Sequence, residues 1–145
     1  EPGRGKTHLA LAIGWHHLGQ GRGTVRYWQV TEFLDAMRAE FSNPPRDNYG
    51  NVVSGVFEYA KGCNLLIVDD LGVEKATDWA VDRLDTLINH RWLEGQLTVF
   101  TTNLTPDKLQ PRVRSRIKEG VTVMVGGHDY RAMKAQLRKM EDANG

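Results

Sequence analysis

Cysteine is almost missing: Cys63 stands alone, so no internal disulfide can form and a cross-linked secreted scaffold is excluded. Such usage fits a reducing cytoplasm, the expected location. No apolar run approaches the roughly 20 residues of a membrane-spanning helix, so no membrane association is expected. Signal-peptide character, internal repeats and low-complexity tracts are also lacking. Net charge is close to absent at +1, which by itself selects no partner.

What is present is ordinary for a folded domain. The 145 residues are 40% apolar and 26% charged, enough for one core. Charge is unevenly spread: residues 61–95 carry four Lys/Arg against seven Asp/Glu, and residues 107–145 carry nine against five. A basic final third suits a phosphate-bearing partner, although a solvated mixed surface accounts for it equally well.

Helical and extended signals alternate along the chain. "KTHLALAIGWHHLGQG" places Leu9, Ala12, Ile13 and Trp15 at helical spacing. "TVRYWQV" reads as a strand, and "TEFLDAMRAEF" as a helix capped by Thr31 with Phe33, Leu34, Met37 and Phe41 on one stripe. After the loop "SNPPRDNYGN" and a short amphipathic segment comes "NLLIVDDLG", an apolar run expected of a strand buried on both faces. From Thr77 to Leu93 the face Ala80, Leu84, Leu87 and Arg91 recurs, flanked by Val81 and Ile88, and Gly95 ends it. "QLTVFTTN" is expected to be another buried strand, "TPDKLQPRVRSRIKEG" one helix starting at Thr105 and Pro106, and "VTVMV" a last strand. This alternation implies an α/β fold with a parallel sheet. A metal cluster is not indicated. His16 and His17 point about 100° apart on a helix, and His8, His90 and His128 show no ligand spacing.

The chemistry-bearing stretch is the first one. "EPGRGKTHLA" supplies the end of a G-x-x-x-x-G-K-[ST] phosphate loop in Gly5, Lys6 and Thr7. Its leading glycine would precede Glu1, so the chain is expected to be truncated at its N-terminus, the strand that feeds the loop lying before Glu1. Gly3 and Gly5 let backbone amides turn toward an anion, and the helix starting near Lys6 adds its dipole. Lys6 is placed for the β- and γ-phosphates and Thr7 for Mg²⁺. The plainer alternative is a Gly-rich turn capping a helix beside an exposed lysine.

A second signal is "LLIVDD", where Asp69 and Asp70 close an apolar strand at the edge where parallel sheets bind ligands. One acid can hold Mg²⁺ and its neighbour can orient water. Asn103, ending "TVFTTN", could contact a γ-phosphate or that water. Of Arg112, Arg114 and Arg116, the first and last share a helix face at i, i+4, where like charges repel by a few tenths of a kcal/mol; that suggests an anionic partner, with a plain solvated face as the rival reading. "GHDYR" adds Arg131.

Together "GKTHLA", "LLIVDDLGVEKATDW", "FTTNL", "RVRSRI" and "DYR" resemble the ATPase domain of the AAA+ helicase loaders of the DnaC/DnaI family, from the start of the chain to about Arg131. IstB-type transposition ATPases are close relatives and rank second. The resemblance implies a three-layer P-loop NTPase core spanning residues 1–145, with little or no lid and without the family's N-terminal helicase-binding domain. It implies ATP and Mg²⁺ as cofactors. Gly3, Arg4, Gly5, Lys6, Thr7 and His8 would then bind nucleotide, with Thr7 and Asp69 at the metal. Asp70, Asn103 and Arg116 would be catalytic, with Arg112 as companion of the arginine finger Arg116 and Arg131 as sensor 2. A hexameric replicative helicase, single-stranded DNA and head-to-tail copies of the chain are the implied partners. The helix Phe33–Phe41 with Arg38 is the DNA-contacting candidate, although core packing is expected for Phe33 itself. Most AAA+ ATPases carry Asp-Glu where Asp69-Asp70 stands, so hydrolysis is expected to be slow and switch-like. A small-molecule kinase on the same loop, and a degenerate module that binds DNA or protein without turnover, are the rival readings.

Overall fold

The computed structural model describes residues 3–72, 77–127, 129–130 and 133–135. Three parallel strands, β1 (Val25–Gln29), β2 (Leu65–Asp69) and β3 (Leu97–Phe100), lie in the order β1-β2-β3. The registers run Val25↔Leu65 to Gln29↔Asp69 and Leu65↔Leu97 to Val68↔Phe100, which brings the carboxyl ends of all three strands to one edge. Helices α1 (Lys6–Gly19), α2 (Val30–Ser42), α3 (Val56–Gly62), α4 (Asp78–Leu93) and α5 (Pro111–Lys118) cover the sheet.

The central strand divides the layers. All five residues of β2 are buried, and side chains alternate between faces along a strand. Leu66 and Val68 join the larger core with Phe33, Leu34, Met37, Leu84 and Leu87, while Leu65 and Ile67 meet Ala10 of α1. The layers are therefore α1, the sheet, and the group α2–α5.

Helix α4 follows its sequence pattern. Ala80, Leu84, Leu87, Ile88 and Arg91 are buried, and the Thr77 hydroxyl accepts from the Ala80 amide at 3.2 Å. Arg91, 1% exposed, is satisfied by carbonyls. It donates from Nη1 to Ala60 O (2.7 Å) and Cys63 O (2.9 Å), from Nη2 to Leu97 O (2.7 Å), and from Nε to Thr98 Oγ1 (2.9 Å). Three of these acceptors belong to backbone at the amino end of the sheet, so the cation stitches α3, β2 and β3 together.

Several expectations are corrected. Helix α1 does not turn Leu9, Ala12, Ile13 and Trp15 inward; it buries Ala10, Gly14 and His17, and Trp15 is 73% exposed. Close approach selects that face, because a Cβ on Gly14 would stand 3.0 Å from Ile67 Cδ1 and 3.4 Å from Val25 Cγ1. Thr31 is not a cap: α2 starts at Val30, whose complete burial fixes the helix start directly after β1. Phe41 leaves the α2 stripe and is 89% exposed. β3 is only half-buried, since among the described strands it has a neighbour on one side alone. "TPDKLQPRVRSRIKEG" is two helices, a 3₁₀ turn Pro106–Lys108 and then α5, because Pro111 has no N–H to continue a helix and restarts one at its first position. "VTVMV" is not a strand: residues 121–125 have no ladder partner among the described residues, and Val121 is 95% exposed. A strand needs a neighbour to take its backbone hydrogen bonds, which apolar alternation cannot supply.

Candidate functional site

The site is built where α1 begins beside the carboxyl end of β2. Gly3 (φ 76°) and Gly5 (φ 85°) both occupy left-handed backbone, and Gly5 caps α1. Only glycine takes that conformation without strain. Gly3 has a further constraint, since an added Cβ would collide with the Asp129 carboxylate. The Tyr130 amide donates to Gly3 O at 3.0 Å, so the segment around Asp129 closes against the loop. The first turn of α1 carries no acid, and the positive end of its dipole faces the loop.

Asp69 ends β2 with 1% exposure. Thr7 Oγ1 donates to its Oδ1 and Oδ2 at 3.0 and 2.9 Å. Tyr27, on β1, donates from its hydroxyl to Oδ2 at 2.9 Å, and Thr101, after β3, donates to Oδ1. Burial, then the hydrogen bond to Asp69 and its negative charge, push the Tyr27 phenol up to about 12. Thr101 Oγ1 in turn accepts from the Asp70 amide at 3.0 Å. Asp70 is the one non-glycine among the described residues with positive φ, at 58°. Aspartate tolerates this conformation better than most residues, and it turns the second acid out of the strand direction.

The structure thus brings together Gly3, Gly5, Thr7 and Asp69, with Lys6 opening α1 and Asp70 following β2. Arg4 is half-buried and His8 exposed beside them. Asn103 is exposed, just past the end of β3, and Thr101, two residues before it, makes the contact with the acids. Arg112 and Arg116 lie on α5, facing α4. The like-charge pair is offset within the chain, since Arg112 pairs with Asp85 at 3.0 Å. Arg131, and residues 73–76 of the "DDLGVEKATDW" run, lie outside the described residues. Phe33 is core, its ring centroid 5.8 Å from that of Trp28, and Arg38 stacks over Trp79 at 4.8 Å. Of the proposed DNA-contacting side chains, Phe41 and Arg38 remain outward, Arg38 with 49% of its side chain exposed.

Sequence reasoning missed Tyr27, Thr101 and Asp129. Thr101 sits in the quoted "FTTN" and Asp129 in "GHDYR", so the stretches were visible, but nothing in them says which side chain crosses to another element. Chemically the set is all hard oxygen: a threonine hydroxyl and a carboxylate within 3.0 Å at a helix N-terminus. That donor chemistry fits Mg²⁺, and the loop amides fit a polyphosphate.

The parallel sheet with its helices is a P-loop fold of the AAA+ type, and the comparisons agree on the fold. Residues 1–112 match the family described as IstB-like ATP binding protein, and the chain belongs to it. Its relatives include the replicative helicase loader DnaI of Bacillus subtilis, 28% identical over 109 residues, covering 74% of this chain and 32% of that protein. In fold it resembles the solved DnaC helicase loader, with TM-score 0.68 and 21% identity over 82% of this chain and 70% of that one. It also resembles a replication initiator DnaA solved with AMPPCP and single-stranded DNA, with TM-score 0.72 and 22% identity over 99% of this chain and 44% of that one. The chain spans about a third of the length of the curated relatives it matches.

Proposed function

We propose that this domain binds ATP with Mg²⁺, hydrolyses it slowly, and uses the bound state to assemble head to tail while loading a hexameric replicative helicase. One observation carries the reading: the Thr7 hydroxyl at the start of α1 meets the buried Asp69 carboxylate at the end of β2 within 3.0 Å. Asp69 is 62 residues from Thr7 in sequence, and the fold buries its carboxylate against that helix end.

In this reading Gly3, Arg4, Gly5, Lys6 and His8 hold the phosphates, Lys6 supplying charge and the glycines access to backbone amides. Thr7 and Asp69 hold Mg²⁺, which when bound offsets charge developing on the phosphates. Asp70 orients the attacking water, and Asn103 and Arg131 take the sensor roles that the family resemblance implies. Arg116, on a helix packed against α4, reaches the phosphates bound by a neighbouring copy in this reading. Such a contact is heterologous and builds rings or open spirals. Single-stranded DNA is a further partner in this reading, with exposed Phe41 available for stacking.

The two acids test the site. Asp69→Asn in the intact protein should weaken Mg²⁺-dependent nucleotide binding in calorimetry, while Asp70→Asn should keep binding and suppress phosphate release. No effect from either substitution would remove the site. The IstB-like family match favours a second reading, the transposition ATPase that the sequence resemblance ranks second. Affinity capture of purified ring helicase, rather than of a transposase, by the intact ATP-bound protein favours loading.

A further inference from the structure

Helices α4 and α5 face each other with polar side chains at matching intervals. Asp85, Asn89 and Trp92 lie on α4; Arg112 and Arg116 lie on α5, and Glu119 is its C-cap. Three contacts join them in order. Arg112 Nη1 pairs with Asp85 Oδ2 at 3.0 Å, Arg116 Nη2 donates to Asn89 Oδ1 at 3.1 Å, and Trp92 Nε1 donates to Glu119 Oε2 at 2.7 Å. The Arg116 guanidinium also lies over the Trp92 ring, 3.9 Å from its centroid.

The middle contact differs from the first. Arg112 meets a carboxylate, whereas Arg116 meets a neutral amide that fixes one edge of the guanidinium without cancelling its charge. The indole supplies a flat surface for stacking, again without a formal charge. Glu119 forms a looser ion pair with Arg116, its Oε1 3.7 Å from Nη1, while its Oε2 accepts from the Trp92 indole. Trp92 therefore acts twice, carrying the arginine on its face and drawing the acid aside with its N–H. The result is an arginine with a set orientation and incomplete neutralisation, a third of its side chain open to solvent.

We infer that Asn89, Trp92 and Glu119 are positioning residues that hold Arg116 as an oriented cation for the terminal phosphate bound by a second copy of this chain. The inference rests on the reading of Arg116 as an arginine acting between copies. A long flexible side chain gives up rotamer freedom when it binds an anion, and here that loss is taken in folding. A carboxylate in place of the Asn89 amide would fix Arg116 equally well but add a second, closer negative charge to that of Glu119.

The test is Asn89→Asp, a nearly isosteric change that makes the middle contact like the first. In the intact protein, ATP·Mg²⁺ affinity by calorimetry should stay within about twofold. Turnover at saturating ATP, and ATP-driven assembly seen by light scattering, should fall at least about tenfold, a fraction of what an arginine finger contributes. In an Arg116→Ala background the same substitution should add nothing, because it acts through the arginine. Trp92→Leu should also lower turnover by releasing Glu119 onto Arg116, and Glu119→Gln in that background should recover part of it. Wild-type turnover in Asn89→Asp, or an equal further drop in the Arg116→Ala background, overturns the inference. If Arg116→Ala is itself without effect on turnover, the reading between copies fails with it; if Arg116→Ala is impaired and Asn89→Asp is not, the positioning inference alone fails.

Discussion

At its amino end the sheet buries a cation, Arg91, and at its carboxyl end an anion, Asp69, each 1% exposed. Both are satisfied, but by different means. Arg91 is closed in largely by backbone carbonyls of Ala60, Cys63 and Leu97, which are fixed acceptors with no other state. Burial lowers the proton affinity of Arg91, while the carbonyls at the end of α3 keep the charge compensated. Asp69 is held by hydroxyls of Thr7, Tyr27 and Thr101, drawn from three separate elements. A hydroxyl rotates and can accept as well as donate, so the same oxygens can turn a lone pair toward a cation. Backbone closure makes a structural joint; side-chain closure makes a site that can exchange its partners.

The comparison breaks most visibly at Arg91. Arg91→Met leaves several buried carbonyls without donors and should cost about 3–5 kcal/mol, read as a shift of the urea midpoint. If the variant is as stable as the wild type, the carbonyl cage is not what holds that end together.

At the other end the largest effect should fall on binding and not on stability. Lys6→Ala removes a charge-assisted contact worth up to about 3 kcal/mol, so ATP·Mg²⁺ affinity should drop by roughly two orders of magnitude with little change in urea midpoint. Equal affinity in calorimetry would end the phosphate-loop assignment.

Tyr27→Phe sharpens the contrast at the smallest scale. It removes one hydrogen bond at a partly exposed side chain and should cost about 1 kcal/mol or less. Its signature is pH dependence. The Tyr27 phenol is raised in the folded state, so its contribution is fully present below the ordinary value of 10 and is lost as pH climbs toward about 12. The stability gap between wild type and Tyr27→Phe should therefore narrow across that window. A gap that is constant with pH would mean that the hydroxyl does not bond to Asp69.

Local pattern carried much of the fold. The buried face of α4 was legible down to Arg91 because a helix with one apolar stripe has only one way to face a core. The run "LLIVD" announced a central strand because a parallel strand covered on both faces admits no polar alternation. α1 was misjudged for the converse reason. Apolar side chains of similar size occur all round it, and the choice fell on Ala10, Gly14 and His17 through close contact with Ile67 and Val25, a fit between surfaces that are distant in sequence.

What the sequence determined by itself is the chemistry on offer: a glycine-flanked Lys6-Thr7 pair opening a helix, and an acidic pair, Asp69-Asp70, closing an apolar strand. Those follow from local rules, since backbone conformation and dipole act over a few residues. Only the tertiary structure decided that Thr7, Tyr27 and Thr101 converge on one carboxylate, and that Arg116 meets an amide where Arg112 meets an acid. Those outcomes depend on strand register and on the packing of α5 against α4. A one-residue shift in either would present different side chains, and nothing local to any of the residues specifies it.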